Sequence, residues 1–93
     1  MYRPMGAPFP GPEDSRHMGV LTRGERRWDV FLETQPDAEL GAIRGRIHFV
    51  APNDHRTTSW VFLERLEQDV RERFGEFSGV ELWHFLEALG PPA

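Results

Sequence analysis

The chain has no cysteine, no lysine and no long hydrophobic run. Without cysteine there can be no disulfide, no thiolate metal site and no cysteine nucleophile. No apolar run approaches the roughly 18 residues that a membrane-spanning helix needs, and the first residues lack the pattern of a secretory signal. We therefore expect a cytoplasmic protein without a membrane partner, stabilised by packing alone.

Basic residues are fewer than acidic ones, and the 93 residues carry a formal net charge of -4. The larger excess of acid lies after residue 56, where three arginines stand against seven acids, and residues 28–56 carry three arginines against five acids. Binding to nucleic acid through bulk charge normally requires a basic domain, so the charge disfavours a nucleic-acid partner. A chain of this length fits one small domain.

Proline and glycine are concentrated at the N-terminus. Pro4, Pro8, Pro10 and Pro12 remove backbone donors and break any helical or strand period. We predict a flexible tail over residues 1–18, a single α+β domain over residues 19–90 and a C-terminal tail over residues 91–93. An alternative is that the proline-rich segment docks on the domain in an extended conformation.

Two stretches alternate with the period of a β-strand. In residues 27–34 one face carries Trp28, Val30 and Leu32 and the other carries Asp29, Phe31 and Glu33. From residue 42 onward one face carries Ile43, Ile47 and Phe49 and the other carries Arg44, Arg46 and His48. Pairing the two strands by their apolar faces forms a hairpin with acids and arginines on the opposite side.

Two further strands are predicted with weaker signals. Residues 57–62 are rich in β-branched and aromatic residues and follow a turn at residues 51–55, although Ser59 could instead cap a helix that starts at Trp60. Residues 20–22 could add an edge strand next to the first long strand.

The C-terminal third has helical periodicity. Leu63, Leu66, Val70 and Phe74 recur at helical spacing, and Gly75 ends this helix. Ser78 and Glu81 fit a capping box that starts a second helix, which Gly90 ends. The fold class is therefore α+β: a two-layer sandwich in which a three-stranded, or four-stranded, antiparallel meander is followed by two C-terminal helices packed on one face.

No catalytic, cofactor or metal signature is evident. The histidines do not have metal-ligand spacing, and no phosphate-binding loop or nucleophile elbow is present. Asp54 and His55 could form an acid–base pair, but such turn residues usually cap the backbone. We expect no cofactor, no bound metal and no enzymatic activity.

The candidate partner-binding residues are Phe31, Arg44, Arg46 and His48, on the face of the sheet away from the helices. Arginine beside an aromatic ring is enriched at protein interfaces and also stacks on single-stranded bases. The simpler interpretation is that these arginines neutralise Asp29 and Glu33 across the hairpin.

The leading hypothesis for function is a small non-catalytic interaction or accessory module. Its partner would be another protein or a second copy of itself in a homodimer, bound through the helix-free face or a sheet edge. The alternative is nucleic-acid binding through the arginine and aromatic face. A third hypothesis is a small-ligand carrier or enzyme with a pocket near Trp60 and Trp83.

Overall fold

The computed structural model describes residues 15–90. The predicted tail segments at residues 1–14 and 91–93 lie outside the described residues. Five strands precede two helices: β1 (Ser15–Arg23), β2 (Arg26–Asp37), β3 (Ala42–Ala51), β4 (Asp54–Thr57), β5 (Phe62–Glu64), α1 (Glu67–Gly75) and α2 (Gly79–Leu89). Residues 15–18, predicted as part of the tail, therefore belong to the first strand.

The strands form one antiparallel sheet in the order β1-β2-β3-β4, and β5 pairs with the other half of β3. Both helices follow the sheet in sequence and pack on it, which confirms the α+β class. The predicted edge strand at residues 20–22 is confirmed and is longer, since β1 pairs with β2 at every residue except Met18, where the register shifts. Gly24 has φ of 61°, which suits glycine in the tight turn that joins them.

The predicted faces of the long hairpin are confirmed by the register of β2 and β3. On the apolar face Leu32 lies opposite Ile47, and both side chains are buried. On the other face Phe31 lies opposite His48 and Glu33 opposite Arg46. Alternation places these sets on opposite sides of the sheet because successive strand residues point in opposite directions.

The predicted third strand at residues 57–62 is corrected, because only its ends are β-structure and residues 58–61 interrupt it. The backbone N–H of Thr58 donates to the Ile47 carbonyl at 2.9 Å, and the Ile47 N–H donates to the Thr58 hydroxyl at 3.0 Å. The hydroxyl thus replaces one backbone acceptor of the ladder. The alternative of a helix that starts at Trp60 is wrong, since Phe62 begins β5 instead.

The first helix begins later than predicted. Leu63 lies in β5 opposite Arg44, and Leu66 is the N-cap of α1, so neither belongs to the apolar stripe of the helix. Val70 and Phe74 are buried as expected. The capping box of Ser78 and Glu81 is confirmed at the start of α2, with reciprocal hydrogen bonds of 3.1 and 2.8 Å.

The core lies between the sheet and the helices. It consists of Trp28, Val30, Leu32, Ile47, Phe49, Phe62, Val70, Phe74, Leu82 and Leu86. Gly45 allows α1 to approach β3 closely, because a Cβ at this position would lie 2.6 Å from Cγ1 of Val70. Neither described helix has the length and hydrophobicity to cross a membrane.

Candidate functional site

The opposite side of the sheet carries the candidate site, and we call it the helix-free face. Strand register assigns to it Ser15, His17, Val20, Thr22, Arg27, Asp29, Phe31, Glu33, Gln35, Asp37, Ala42, Arg44, Arg46, His48, Val50, His55, Thr57 and Leu63. The four predicted site residues all lie on this face. Two long adjacent strands, β2 and β3, supply its centre.

Glu33 is the centre of a hydrogen-bonded cluster. Its Oε1 accepts from Nε of Arg46 at 2.7 Å and from Nε2 of His48 at 2.6 Å. The carboxylate is 4% exposed, and this burial would raise its pKa. The hydrogen bonds and positive charges of Arg46 and His48 outweigh burial, so the net effect lowers the pKa of Glu33. The acid therefore stays ionised and holds both partners.

His48 connects Glu33 to two further side chains. Its Nδ1 lies 2.9 Å from Nε2 of His55 and 3.1 Å from the hydroxyl of Thr57. Because a carboxylate accepts only, Nε2 of His48 carries a proton toward Glu33. Partial burial and the positive charges of His48 and Arg46 lower the pKa of His55. The second imidazole is thereby held in its neutral form near physiological pH.

The two predicted arginines pair with different acids. Arg46 pairs with Glu33, and its guanidinium lies 4.3 Å from the ring centroid of Trp60. Arg44 instead donates from Nε to Asp37 at 2.9 Å, and this hydrogen bond lowers the pKa of the Asp37 carboxyl. The interpretation of cross-strand neutralisation is thus confirmed for Glu33 with Arg46, and a different acid neutralises Arg44.

Phe31 and Asp29 both contact His17 of β1. The rings of His17 and Phe31 meet edge to face, with centroids 5.1 Å apart, and Nε2 of His17 lies 2.9 Å from a carboxylate oxygen of Asp29. Pattern analysis missed His17 because it assigned residues 15–18 to a tail. The possible acid–base pair of Asp54 and His55 is not seen as a hydrogen bond within residues 15–90: Asp54 accepts from Arg56 at 2.9 Å, and Nε2 of His55 lies 2.9 Å from Nδ1 of His48.

Three more members of the cluster have no clear sequence signal. His55 and Thr57 both lie in β4, and only the register of β4 against β3 brings them to His48. Trp60 lies in the interruption between β4 and β5. Trp60 stacks on Arg46, whereas Trp83 lies in α2 and lines a hollow with Leu21 and Val80 that does not include Trp60.

The cluster around Glu33 offers few ligands for a metal ion, but it contains a series of acid–base groups connected by hydrogen bonds. Within residues 15–90 no group of three histidine, aspartate or glutamate side chains is arranged to hold a metal ion. The nitrogens of His48 and His55 supply two ligands, fewer than zinc sites use. Glu33, His48 and Thr57 stand in the order of a carboxylate, an imidazole and a hydroxyl.

Comparison of the chain with known protein families, curated proteins and solved structures gave no match.

Proposed function

We propose that this chain is a small non-catalytic interaction module that binds a second copy of itself through the helix-free face. The observation that carries the proposal is the balance of charge on this face. It holds Arg27, Arg44 and Arg46, and each has an acid partner on β2. Paired charges reduce the electrostatic cost of bringing two identical faces together.

Symmetry makes this balance relevant. A two-fold dimer places the same surface on both sides of the contact, so a patch of one sign would repel itself. The partners Asp29, Asp37 and Glu33 give the helix-free face equal numbers of arginines and acids. The arginines and acids of such a face impose no net repulsion on a second copy.

Apolar contact area is available at two corners of the face. Val20 on β1 is 42% exposed and Leu63 on β5 is 54% exposed. They belong to opposite edges of the sheet, because β1 pairs with β2 and β5 pairs with β3. A two-fold axis between them can set Val20 of one copy against Leu63 of the other and bury both side chains.

The same charge balance weighs against the nucleic-acid alternative. Binding to nucleic acid needs arginines that are available to pair with the phosphates of its backbone. Arg44 and Arg46 already donate to Asp37 and Glu33, so a phosphate would have to compete with a carboxylate at each position. A protein surface of matched polarity is the better partner.

Size-exclusion chromatography with light scattering, run over a range of concentrations, tests the proposal. The wild type is expected to show a concentration-dependent dimer. Val20→Glu and Leu63→Glu each place two unpaired charges in the contact and should weaken the dimer by roughly tenfold or more. Val80→Glu is the matched control, because Val80 is 66% exposed on α2, away from the face.

Two outcomes would contradict self-association. One is a strict monomer at every concentration. The other is a dimer that Val80→Glu weakens as much as Leu63→Glu does.

Acid–base catalysis is a second candidate, favoured by the series Glu33, His48 and Thr57. Glu33 orients the imidazole, whose Nδ1 lies 3.1 Å from the Thr57 hydroxyl and could accept its proton. Hydrolysis of an activated ester tests it, with His48→Gln and Thr57→Val as the variants. His17→Gln is the control, since His17 lies on the same face outside the series. Equal rates in all four proteins would exclude this candidate.

A further inference from the structure

A second polar and aromatic site lies on the helix-covered side, where the β1–β2 hairpin meets α2. A hollow of about 290 Å³ is lined here by Arg23, Arg26, Trp28, Arg56, Trp83, Leu86 and Glu87. We call it the hairpin pocket. It shares no residue with the helix-free face, so nothing argued about it depends on self-association.

Two arginines lie opposite each other at the mouth of the hairpin pocket. Arg23 and Arg26 are register partners across the tight turn, and both are exposed. Within residues 15–90 neither makes an ion pair, whereas nearby Arg56 binds Asp54 at 2.9 Å. Like charges directly opposite on a β-ladder destabilise it. An anion between the two guanidinium groups would remove that repulsion.

The aromatic rings orient these arginines. The guanidinium carbons of Arg26 and Arg56 each lie 5.0 Å from the ring centroid of Trp28, and that of Arg23 lies 5.0 Å from the ring of Trp83. Stacking on an indole restricts a long side chain while its N–H donors stay available at the edge of the guanidinium. The pocket is therefore organised before a ligand arrives.

Both indole nitrogens of the pocket lack hydrogen-bond partners within the described residues. Trp28 is 2% exposed, so its unpaired N–H is deeply buried. Both tryptophans line the cationic hollow. Their Nε1 atoms have almost no accessible surface, so a ligand in the hollow would contact the indole rings and not these N–H groups.

An apolar hollow adjoins the hairpin pocket. It has a volume of about 530 Å³, and its lining includes Leu21, Val80 and the shared residues Arg23 and Trp83. Val80 is strongly exposed on α2. A ligand whose anionic group sits at Arg23 can extend its apolar body over Trp83 into this second space.

We infer that the hairpin pocket binds an organic anion with an apolar body, namely an aryl or short alkyl carboxylate. The carboxylate binds between Arg23 and Arg26, and the body packs on Trp83 and Val80. Charge-assisted bonds to two guanidinium groups supply orientation, and burial of the body supplies affinity. Glu87 also lines the pocket and opposes an anion, which sets a limit on affinity.

Titration with benzoate tests this inference by ¹H–¹⁵N NMR of the tryptophan indole N–H signals. The chain has three tryptophans, and each signal can be assigned from one Trp→Phe variant. Benzoate should shift the signals of Trp28 and Trp83 in a saturable manner. Trp60 is an internal control, because it stacks on Arg46 of the helix-free face. Absence of a saturable shift at Trp28 and Trp83 would overturn the inference.

Two further probes separate charge from apolar contact. Benzyl alcohol has the ring without the charge, and inorganic phosphate has the charge without the ring. Both should bind at least roughly tenfold more weakly than benzoate, since each loses one of the two contributions. Equal binding of phosphate would overturn the assignment of an apolar body, and equal binding of benzyl alcohol would overturn the role of the arginines.

Charge variants complete the test. Arg26→Gln should weaken benzoate by roughly tenfold, while Arg27→Gln makes the same charge change one residue along and should leave affinity within about twofold. Glu87→Gln should strengthen binding by removing the opposing charge. Backbone amide spectra establish that each variant is folded. An equal loss in Arg26→Gln and Arg27→Gln would show a general charge effect and contradict the site.

Discussion

Replacing Gly45 with alanine tests the close approach of α1 to the sheet. The added Cβ would lie 2.6 Å from Cγ1 of Val70 and 3.2 Å from Cβ of Phe62. Favourable carbon contacts lie at about 3.5–4.0 Å, so both neighbours must move. Val70 is fully buried and cannot turn toward solvent.

The expected cost follows from that geometry. Inserting a methyl group into a packed core costs about 1–3 kcal/mol, and replacing glycine within a strand returns about 0.5–1 kcal/mol. The difference spans about 0–2.5 kcal/mol, and the 2.6 Å approach to Val70 places this substitution in the upper part of the range. We expect Gly45→Ala to lower the free energy of unfolding by about 1–2.5 kcal/mol in urea titrations. Gly19→Ala in β1 is the control, because no atom lies within 4 Å of its added Cβ.

A double-mutant cycle identifies the contact responsible. Val70→Ala removes the methyl groups that the new Cβ meets, so Gly45→Ala should cost less in that background, with a coupling of about 1 kcal/mol. The reasoning is refuted if Gly45→Ala unfolds at the same urea concentration as the wild type. Additivity of the two substitutions would refute it equally.

Three further outcomes are expected from urea unfolding. Glu33→Ala removes the shared acceptor of Arg46 and His48 and should lower the free energy of unfolding by about 2–3 kcal/mol. This is less than the loss expected for a fully buried ion pair, because the Arg46 side chain is 32% exposed. Glu33→Gln should lower the free energy of unfolding less than Glu33→Ala. In the folded protein the pKa of His55 lies below its ordinary 6.5, so on acidification the unfolded chain takes up a proton that the folded protein does not. The free energy of unfolding should therefore fall as the pH falls below about 6.5. His55→Gln should flatten that dependence, whereas an unchanged slope would contradict it. Ser78→Ala should cost about 1 kcal/mol through loss of the capping box, and a change below a few tenths would contradict the cap.

Alternation along β2 and β3 was sufficient to predict the two faces of the hairpin and hence the shared face of Phe31, Arg44, Arg46 and His48. Period-two patterns are robust because one side of a sheet must be buried. The capping box of α2 was predictable for a similar reason, since Ser78 and Glu81 satisfy each other locally. Local rules and burial patterns agree at these positions.

Other parts of the site depend on contacts distant in sequence. His55 and Thr57 join His48 only through the pairing of β4 with β3, and the turn residues between those strands do not specify it. Leu63 has helical spacing from Leu66, yet it lies in β5, because pairing with β3 outweighs local periodicity. The choice of Asp37 as the partner of Arg44 likewise follows from register.

The interruption at residues 58–61 affects how the molecule behaves in a crowded solution. An unbroken border strand from residue 54 to residue 64 would present a long row of backbone groups onto which another chain could add and begin a fibril. Thr58 uses its hydroxyl to complete the bond from Ile47 and then donates to the Ser59 carbonyl, which stabilises the bend. The border is divided into a four-residue and a three-residue piece. This border therefore offers another chain a shorter row of unpaired backbone groups than a straight strand would.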